Sequence, residues 1–228
     1  MDQSDADGTI ATLSCTAGPF CIAGVSTSDS DDDSEGTGPL TTTNPTGGTS
    51  AWKFDNEDFI EGGVNGGGRA AKGVVPSLTC ASQALCVAGD AKGGILSTTT
   101  PTDGAAWHYT RPEAKAAIEG LSCPSTSLCI GIDSHGRVIH STRPSTGTWS
   151  AVTIDKGFAL TAVACATTRF CVAVDSHRHA FLSTKPTGGT NAWRKISGID
   201  GDLTSIACPT TSLCVAVDGQ GNEITATG

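Results

Sequence analysis

The chain has 228 residues, 37% of them hydrophobic but only 5% aromatic, with 29 glycines and a formal net charge of -9. A chain of that size buries a sizeable core made of small side chains and is expected to form one domain or one repeat array. The acidic balance excludes a phosphate-backbone partner, which needs clustered Lys and Arg, and no stretch approaches the roughly 18 to 20 apolar residues that a membrane helix requires.

In chain order, Met1 and the polar run from Asp2 to Gly8 read as a start placed after a removed export signal, or within a longer chain. The first apolar stretch then ends in a cysteine, and this opens a pattern. All ten cysteines fall into pairs of identical spacing, Cys15 and Cys21, Cys80 and Cys86, Cys123 and Cys129, Cys165 and Cys171, Cys208 and Cys214. Successive first members are 65, 43, 42 and 43 residues apart, a period typical of propeller blades. Each repeat reads as an apolar strand, a Cys-x5-Cys hairpin, a small-apolar second strand, a turn, a Ser-Thr third strand, a Pro-Thr-Gly turn and a Trp that opens a fourth strand. The Trp residues stand at 52, 107, 149 and 193.

The second strands, such as Cys-Val-Ala-Gly and Cys-Ile-Gly-Ile, are apolar on both faces and narrow, which fits strands sandwiched between blades around an axis better than a β-sandwich. The expectation is an all-β, single-domain β-propeller spanning 1–228. Its five blades hold up to four antiparallel strands each, with repeats at about 8–72, 73–115, 116–157, 158–200 and 201–228. The last repeat ends without a Trp strand, so either its blade lacks the outer strand or the chain is part of a longer array; the three-stranded last blade is the favoured reading.

Cys-x5-Cys across a tight hairpin brings two Cα atoms within disulfide reach, and each short loop closed is worth about 2 kcal/mol in the chain-entropy model. Zinc is the rival use of thiolates, but metal pairs are usually Cys-x2-4-Cys and two pairs share an ion. Five disulfides imply a secreted or extracytoplasmic protein.

The unit Ser-Cys-Pro-Ser-Thr-Ser-Leu-Cys-Ile-Gly-Ile-Asp at 122–133, followed by Ser-Thr-Arg-Pro and a Trp, resembles cysteine-paired repeats of secreted actinobacterial proteins. That resemblance implies a propeller and export, with no single activity. Residues 183–193, Ser-Thr-Lys-Pro-Thr-Gly-Gly-Thr-Asn-Ala-Trp, resemble the sialidase Asp-box hairpin in Ser, Gly and Trp, with Pro186 near the Asp position. Asp boxes are structural, so this implies a hairpin and no sialidase chemistry. In repeat number and length the chain is also similar to tachylectin-type five-bladed lectins, which points toward glycan binding.

Turns between second and third strands open on the same propeller face as the links between blades. Cys21 to Trp52 spans 31 residues against 20 to 22 elsewhere, and Trp52 to Cys80 spans 28 against 15 or 16, so insertions at about 26–39 and 54–73 both fall on that face. Asp29, Asp31, Asp33 and Glu35 resemble the start of a calcium loop, with Ser34 where Gly is expected, and mark Ca2+ as the candidate cofactor; a solvated acidic loop is the alternative. Asp55 and Asp58 in the second insertion, with His135, His177 and His179 in turns, are the candidate ligand-binding residues. Asp90, Asp133, Asp175 and Asp218 recur just after the second strands and are expected to cap their own turns.

The inner strands offer the central channel almost no acids or bases, and there is no Gly-x-Ser-x-Gly elbow or His-Glu-x-x-His. The expected function is therefore a non-catalytic, monomeric recognition or adhesion module that binds a glycan, cell-surface polymer or protein. A glycosidase-like hydrolase using loop carboxylates and an architectural spacer are the alternatives.

Overall fold

The computed structural model describes residues 8–27, 39–54, 75–103, 106–112 and 116–227. Five small antiparallel sheets form a five-bladed β-propeller. Blade 1 comprises β1 (Gly8–Cys15), β2 (Cys21–Thr27), β3 (Pro39–Thr42) and β4 (Lys53–Phe54), and blade 2 comprises β5 (Ser77–Ser82), β6 (Leu85–Gly89), β7 (Ile95–Thr98) and β8 (His108–Thr110). Blade 3 holds β9 (Ile118–Ser125), β10 (Leu128–Asp133), β11 (Arg137–Arg143) and β12 (Thr148–Thr153). Blade 4 holds β13 (Leu160–Thr167), β14 (Phe170–Asp175), β15 (His179–Ser183) and β16 (Arg194–Ser197), and blade 5 only β17 (Leu203–Thr210), β18 (Leu213–Asp218) and β19 (Glu223–Thr227). The three-stranded last blade is as expected. No helix among the described residues is long and apolar enough to cross a membrane.

Each Cys-x5-Cys unit closes a disulfide, with Cα–Cα separations of 4.0 to 4.1 Å. This lies just under the usual range because the two cysteines of a hairpin face each other directly, as the register of Cys15 with Cys21, Cys80 with Cys86 and Cys165 with Cys171 shows. In blade 3 the ladder between β9 and β10 slips between Leu128 and Ile130, so Cys129 has no ladder partner on β9. Its bond to Cys123 nevertheless spans the same 4.1 Å, as does that of Cys208 to Cys214 beside the slip in blade 5. Five disulfides are the mark of an oxidising, extracellular environment.

The cysteines do more than the staple that their spacing predicts. Cys129 is 0% exposed and packs with Leu85, Ile118 and Ile139 in the joint between blades 2 and 3, and Cys86 and Cys171 are buried in the same way. Cys129 opens a second strand covered on both faces, as its apolar sequence predicts, so its sulfur is core as well as staple.

The second strands carry alternating side chains to the blades on either side. Cys86 and Ala88 pack toward blade 1 with Ile22, whereas Leu85 and Val87 pack toward blade 3 with Ile118. The space there is narrow: a Cβ added at Gly89 would lie 2.4 Å from Ile118. Side-chain hydrogen bonds tie the inner strands together, Ser14 Oγ accepting from Cys80 N at 2.9 Å and Ser122 Oγ from Cys165 N at 3.0 Å. The tryptophans belong to the same joints. Trp107 lies in the cluster between blades 1 and 2, Trp149 in that between blades 2 and 3, and Trp193 in that between blades 3 and 4.

Blade 5 has no such Trp, and the cluster between blades 4 and 5 is built of Ala, Val, Leu and Ile with Phe170 and the Cys208–Cys214 pair. A cavity of about 400 Å³ opens there, lined by Phe170, Leu182, Ile196, Leu213 and Ile224 among others. The joint between blades 5 and 1 is looser still. Ile10 occupies the repeat position of Ile118, Leu160 and Leu203, which are at most 1% exposed, yet it is 59% exposed. Leu13 is 58% exposed and Val217, on the facing side of blade 5, is 39% exposed. Four apolar clusters thus join five blades among the described residues.

This asymmetry predicts unequal costs for one chemical change. Ile118→Ala, which leaves a hole between blades, is expected to destabilise by about 2 to 4 kcal/mol, and Ile10→Ala by less than about 1 kcal/mol. Urea denaturation with disulfides intact measures both, and equal losses would show that the fifth joint is packed like the others.

Candidate functional site

The turn after each described second strand from blade 2 onward is organised by its aspartate. Asp90 Oδ1 accepts from Lys92 N and Gly94 N at 2.7 and 2.6 Å, Asp133 Oδ1 from His135 N and Arg137 N at 2.9 and 3.0 Å. Asp175 Oδ1 accepts from His177 N and His179 N at 2.8 and 2.9 Å, and Asp218 Oδ1 from Gln220 N and Asn222 N, both at 2.9 Å. These are the turn caps expected of short carboxylates. The other oxygen takes the side chain four residues on: Arg137 Nε at 2.6 Å, His179 Nδ1 at 2.6 Å and Asn222 Nδ2 at 2.7 Å.

Blade 4 departs from this repeated turn. The residue three after the aspartate is glycine with positive φ in the other three, Gly93, Gly136 and Gly221, but it is Arg178 here, at φ 66°. A side chain in that left-handed region costs about 1 to 2 kcal/mol. Arg178 offsets part of this by donating from Nε to Ile199 O at 2.8 Å and pairing with Asp200 at 3.0 Å across the link to blade 5.

Turns and links share one face here. Ile154 N and Asp155 N both donate to Gly136 O at 3.0 Å, so the link after blade 3 crosses that blade's turn. It then sends Asp155 toward blade 4. Asp155 is only 4% exposed. Its Oδ1 accepts from Lys195 Nζ at 3.3 Å, while its Oδ2 is buried without a hydrogen-bond partner, 3.9 Å from His179 Nδ1. Asp155, Asp175 and His179 offer ligand-type atoms within 4.8 Å of one another. Beside them Phe158 stacks on His177 with ring centroids 4.0 Å apart, and Lys195 lies over Phe181 at 5.3 Å.

The two carboxyls are driven apart in acidity. Burial, reinforced by the neighbouring Asp175, holds Asp155 above the ordinary value of 3.8, with Lys195 working against it. Burial also pushes Asp175 upward, but hydrogen bonding to His179, to the protonated form of Asp155 and to the His179 and His177 backbone outweighs it and holds the group below that value.

Among the residues singled out in the sequence, His177 and His179 belong to this cluster. His135 is exposed in the blade 3 turn, where Arg137 takes the role that His179 has in blade 4. All ten cysteines, Cys129 among them, are committed to disulfides, so no thiolate is left to hold a metal. Asp29, Asp31, Asp33, Glu35, Asp55 and Asp58 lie outside the described residues. The structure adds Asp155, Phe158, Arg178 and Lys195. Of these, Arg178 had a signal in the sequence, as the one departure from glycine in an aligned turn; Asp155 had none, because its partners come from another blade.

Two cavities lie elsewhere. The central one, about 250 Å³, is lined by inner-strand residues including Thr12, Thr161, Thr204 and one acid, Glu119, which burial and the charge of Asp133 raise. The 400 Å³ cavity between blades 4 and 5 is larger but mostly apolar, Phe170 included. The central one is largely polar, but its Ser77, Thr161 and Thr204 hydroxyls donate to backbone carbonyls, so they serve the ring rather than a ligand.

No family model matches the chain, and no curated protein matches it. Among solved structures it is similar to the crystal structure of the computationally designed Ika4 protein, at 15% identity and a TM-score of 0.56, over 70% of this chain and 94% of that one. That likeness shows fold alone. Fold and cysteines together define the class: a disulfide-stapled five-bladed β-propeller.

A raised acid pKa means that folding favours the protonated form of Asp155, so its charge costs stability at pH 7. Asp155→Asn is therefore expected to raise the melting temperature at pH 7 in chelator-treated buffer. The gap narrows as pH falls and Asp155 takes up its proton. Asp175, whose lowered pKa depends partly on Asp155, titrates differently in the two proteins, so the comparison reads the pair rather than Asp155 alone. Thermal melts at pH 7 and about 4.5 test this, and a variant less stable at pH 7 contradicts it.

Proposed function

We propose that the protein is a secreted recognition or adhesion module that holds a glycan, cell-surface polymer or protein on the face bearing the second-to-third turns and the blade links. The observation that carries this reading is the blade 4 turn, where the repeat gives up its glycine for Arg178 and gathers exposed Phe158 and His177 over the buried Asp155 and Asp175. Strained backbone concentrates where a protein needs a side chain in a particular place, and an aromatic face beside cations and carboxylates suits stacking and hydrogen bonding with polar ligands. The acidic insertions between β2 and β3 and between β4 and β5, with Asp55 and Asp58 in the latter, contribute to the same face in this reading, and Ca2+ at Asp29, Asp31, Asp33 and Glu35 would order the first of them.

Geometry favours binding over glycoside hydrolysis at this cluster. Carboxyl oxygens of Asp155 and Asp175 lie within 4.8 Å of each other, and Asp155, when it carries its proton, donates toward Asp175 rather than standing across a bond from it. A glycosidase instead sets its two carboxyls on opposite sides of the scissile bond. An architectural spacer would bind nothing.

A screen of glycans, cell-wall polymers and surface proteins is expected to yield a ligand whose affinity falls at least tenfold, about 1.4 kcal/mol, in Phe158→Ala and in His177→Ala. Circular dichroism should show both variants folded. Absence of any ligand, or binding indifferent to both substitutions, overturns the reading.

A further inference from the structure

The geometry points to a divalent transition-metal site at Asp155, Asp175 and His179, bridging blades 3 and 4. Clusters of acids are common on surfaces without an ion. This one differs because Asp155, nine-tenths buried, turns Oδ2 toward the other two side chains with no hydrogen-bond partner of its own. A buried carboxylate oxygen left without a donor is costly, and a cation seated among the three side chains would supply what the fold does not. The spacing suits a small ion. Donors around a metal with bonds of about 2.0 to 2.2 Å lie about 3 to 3.5 Å apart, and the separations of 2.6 Å from His179 Nδ1 to Asp175 Oδ2 and 3.9 Å to Asp155 Oδ2 bracket that value.

Neighbouring groups allow the arrangement. Asp175 stays anchored through Oδ1 by two backbone N–H groups, leaving Oδ2 as the ligand. On binding, Nδ1 of His179 gives up the proton it shares with Asp175 and ligates, the ring carrying its hydrogen on Nε2. Lys195, partly exposed, swings its ammonium from Asp155 into solvent. One imidazole and two carboxylates select Zn2+ or a similar borderline ion over Ca2+, and three protein donors leave a position for water or a ligand oxygen.

This site does not rest on the recognition reading, because metal binding is measured without any ligand. Calorimetry with Zn2+ at pH 7 is expected to show one ion per chain, with affinity at least tenfold weaker in Asp155→Asn and in His179→Gln and unchanged in His135→Ala, while any Ca2+ binding is the same in all four proteins. X-ray absorption at the zinc edge should report one imidazole and two oxygen-donor side chains. No stoichiometric binding, or binding equal in wild type, Asp155→Asn and His179→Gln, overturns the assignment.

Discussion

Everything in this molecule follows from how little room lies between blades. The second strand of each blade is pressed from both sides, so its side chains must be small and apolar on both faces, and at Gly89 even a methyl group would collide with Ile118. A core of Ala, Val, Ile and Cys gives modest burial per residue. The disulfide in each hairpin compensates by limiting the unfolded chain, and it does so with a residue pair thin enough to sit in the gap, as the wholly buried Cys86, Cys129 and Cys171 show. Stapled hairpins and narrow strands are two aspects of one constraint.

Because each joint is built from the same positions, departures from the repeat carry information. The Asp-capped turn is a structural unit that tolerates Arg137, His179 or Asn222 as partner of the second carboxylate oxygen. Among the described turns only that of blade 4 exchanges its glycine for an arginine, and there a link contributes a buried acid. A carboxyl raised by burial and by a second carboxyl is poor for stability, and such strain tends to persist where a protein uses it. The repeat provides the scaffold, and its irregular copy provides the chemistry.

Irregularity at the ring's last joints has another origin. A blade's Trp serves the interface with the blade before it, so the absence of a Trp strand in blade 5 is felt between blades 4 and 5, as a mostly apolar cavity rather than as a gap at the rim. On its other side blade 5 faces blade 1 across Ile10, Leu13 and Val217, residues of the type that every other joint buries. Among the described residues, the same apolar code is therefore satisfied at four joints, while Ile10, Leu13 and Val217 stay exposed at the fifth.

The amino-acid sequence by itself determined the number of blades, the pairing of all ten cysteines, the order of the strands and the capping role of Asp90, Asp133, Asp175 and Asp218. These depend on spacing along the chain, on residue size and on hydrogen bonds spanning two to four residues, all of which a repeat displays openly. His177 and His179 were legible as residues on one face, though with nothing to set them above His135, and Cys129 was legible both as a staple and as part of a strand covered on both faces. Only the tertiary structure decided that Asp155 and Lys195 join His179, that Phe158 covers His177, and that Ile10 is exposed while Ile118 is buried. Those facts depend on which blade stands beside which, and on how far a link reaches across the joint, distances that separation along the chain does not encode.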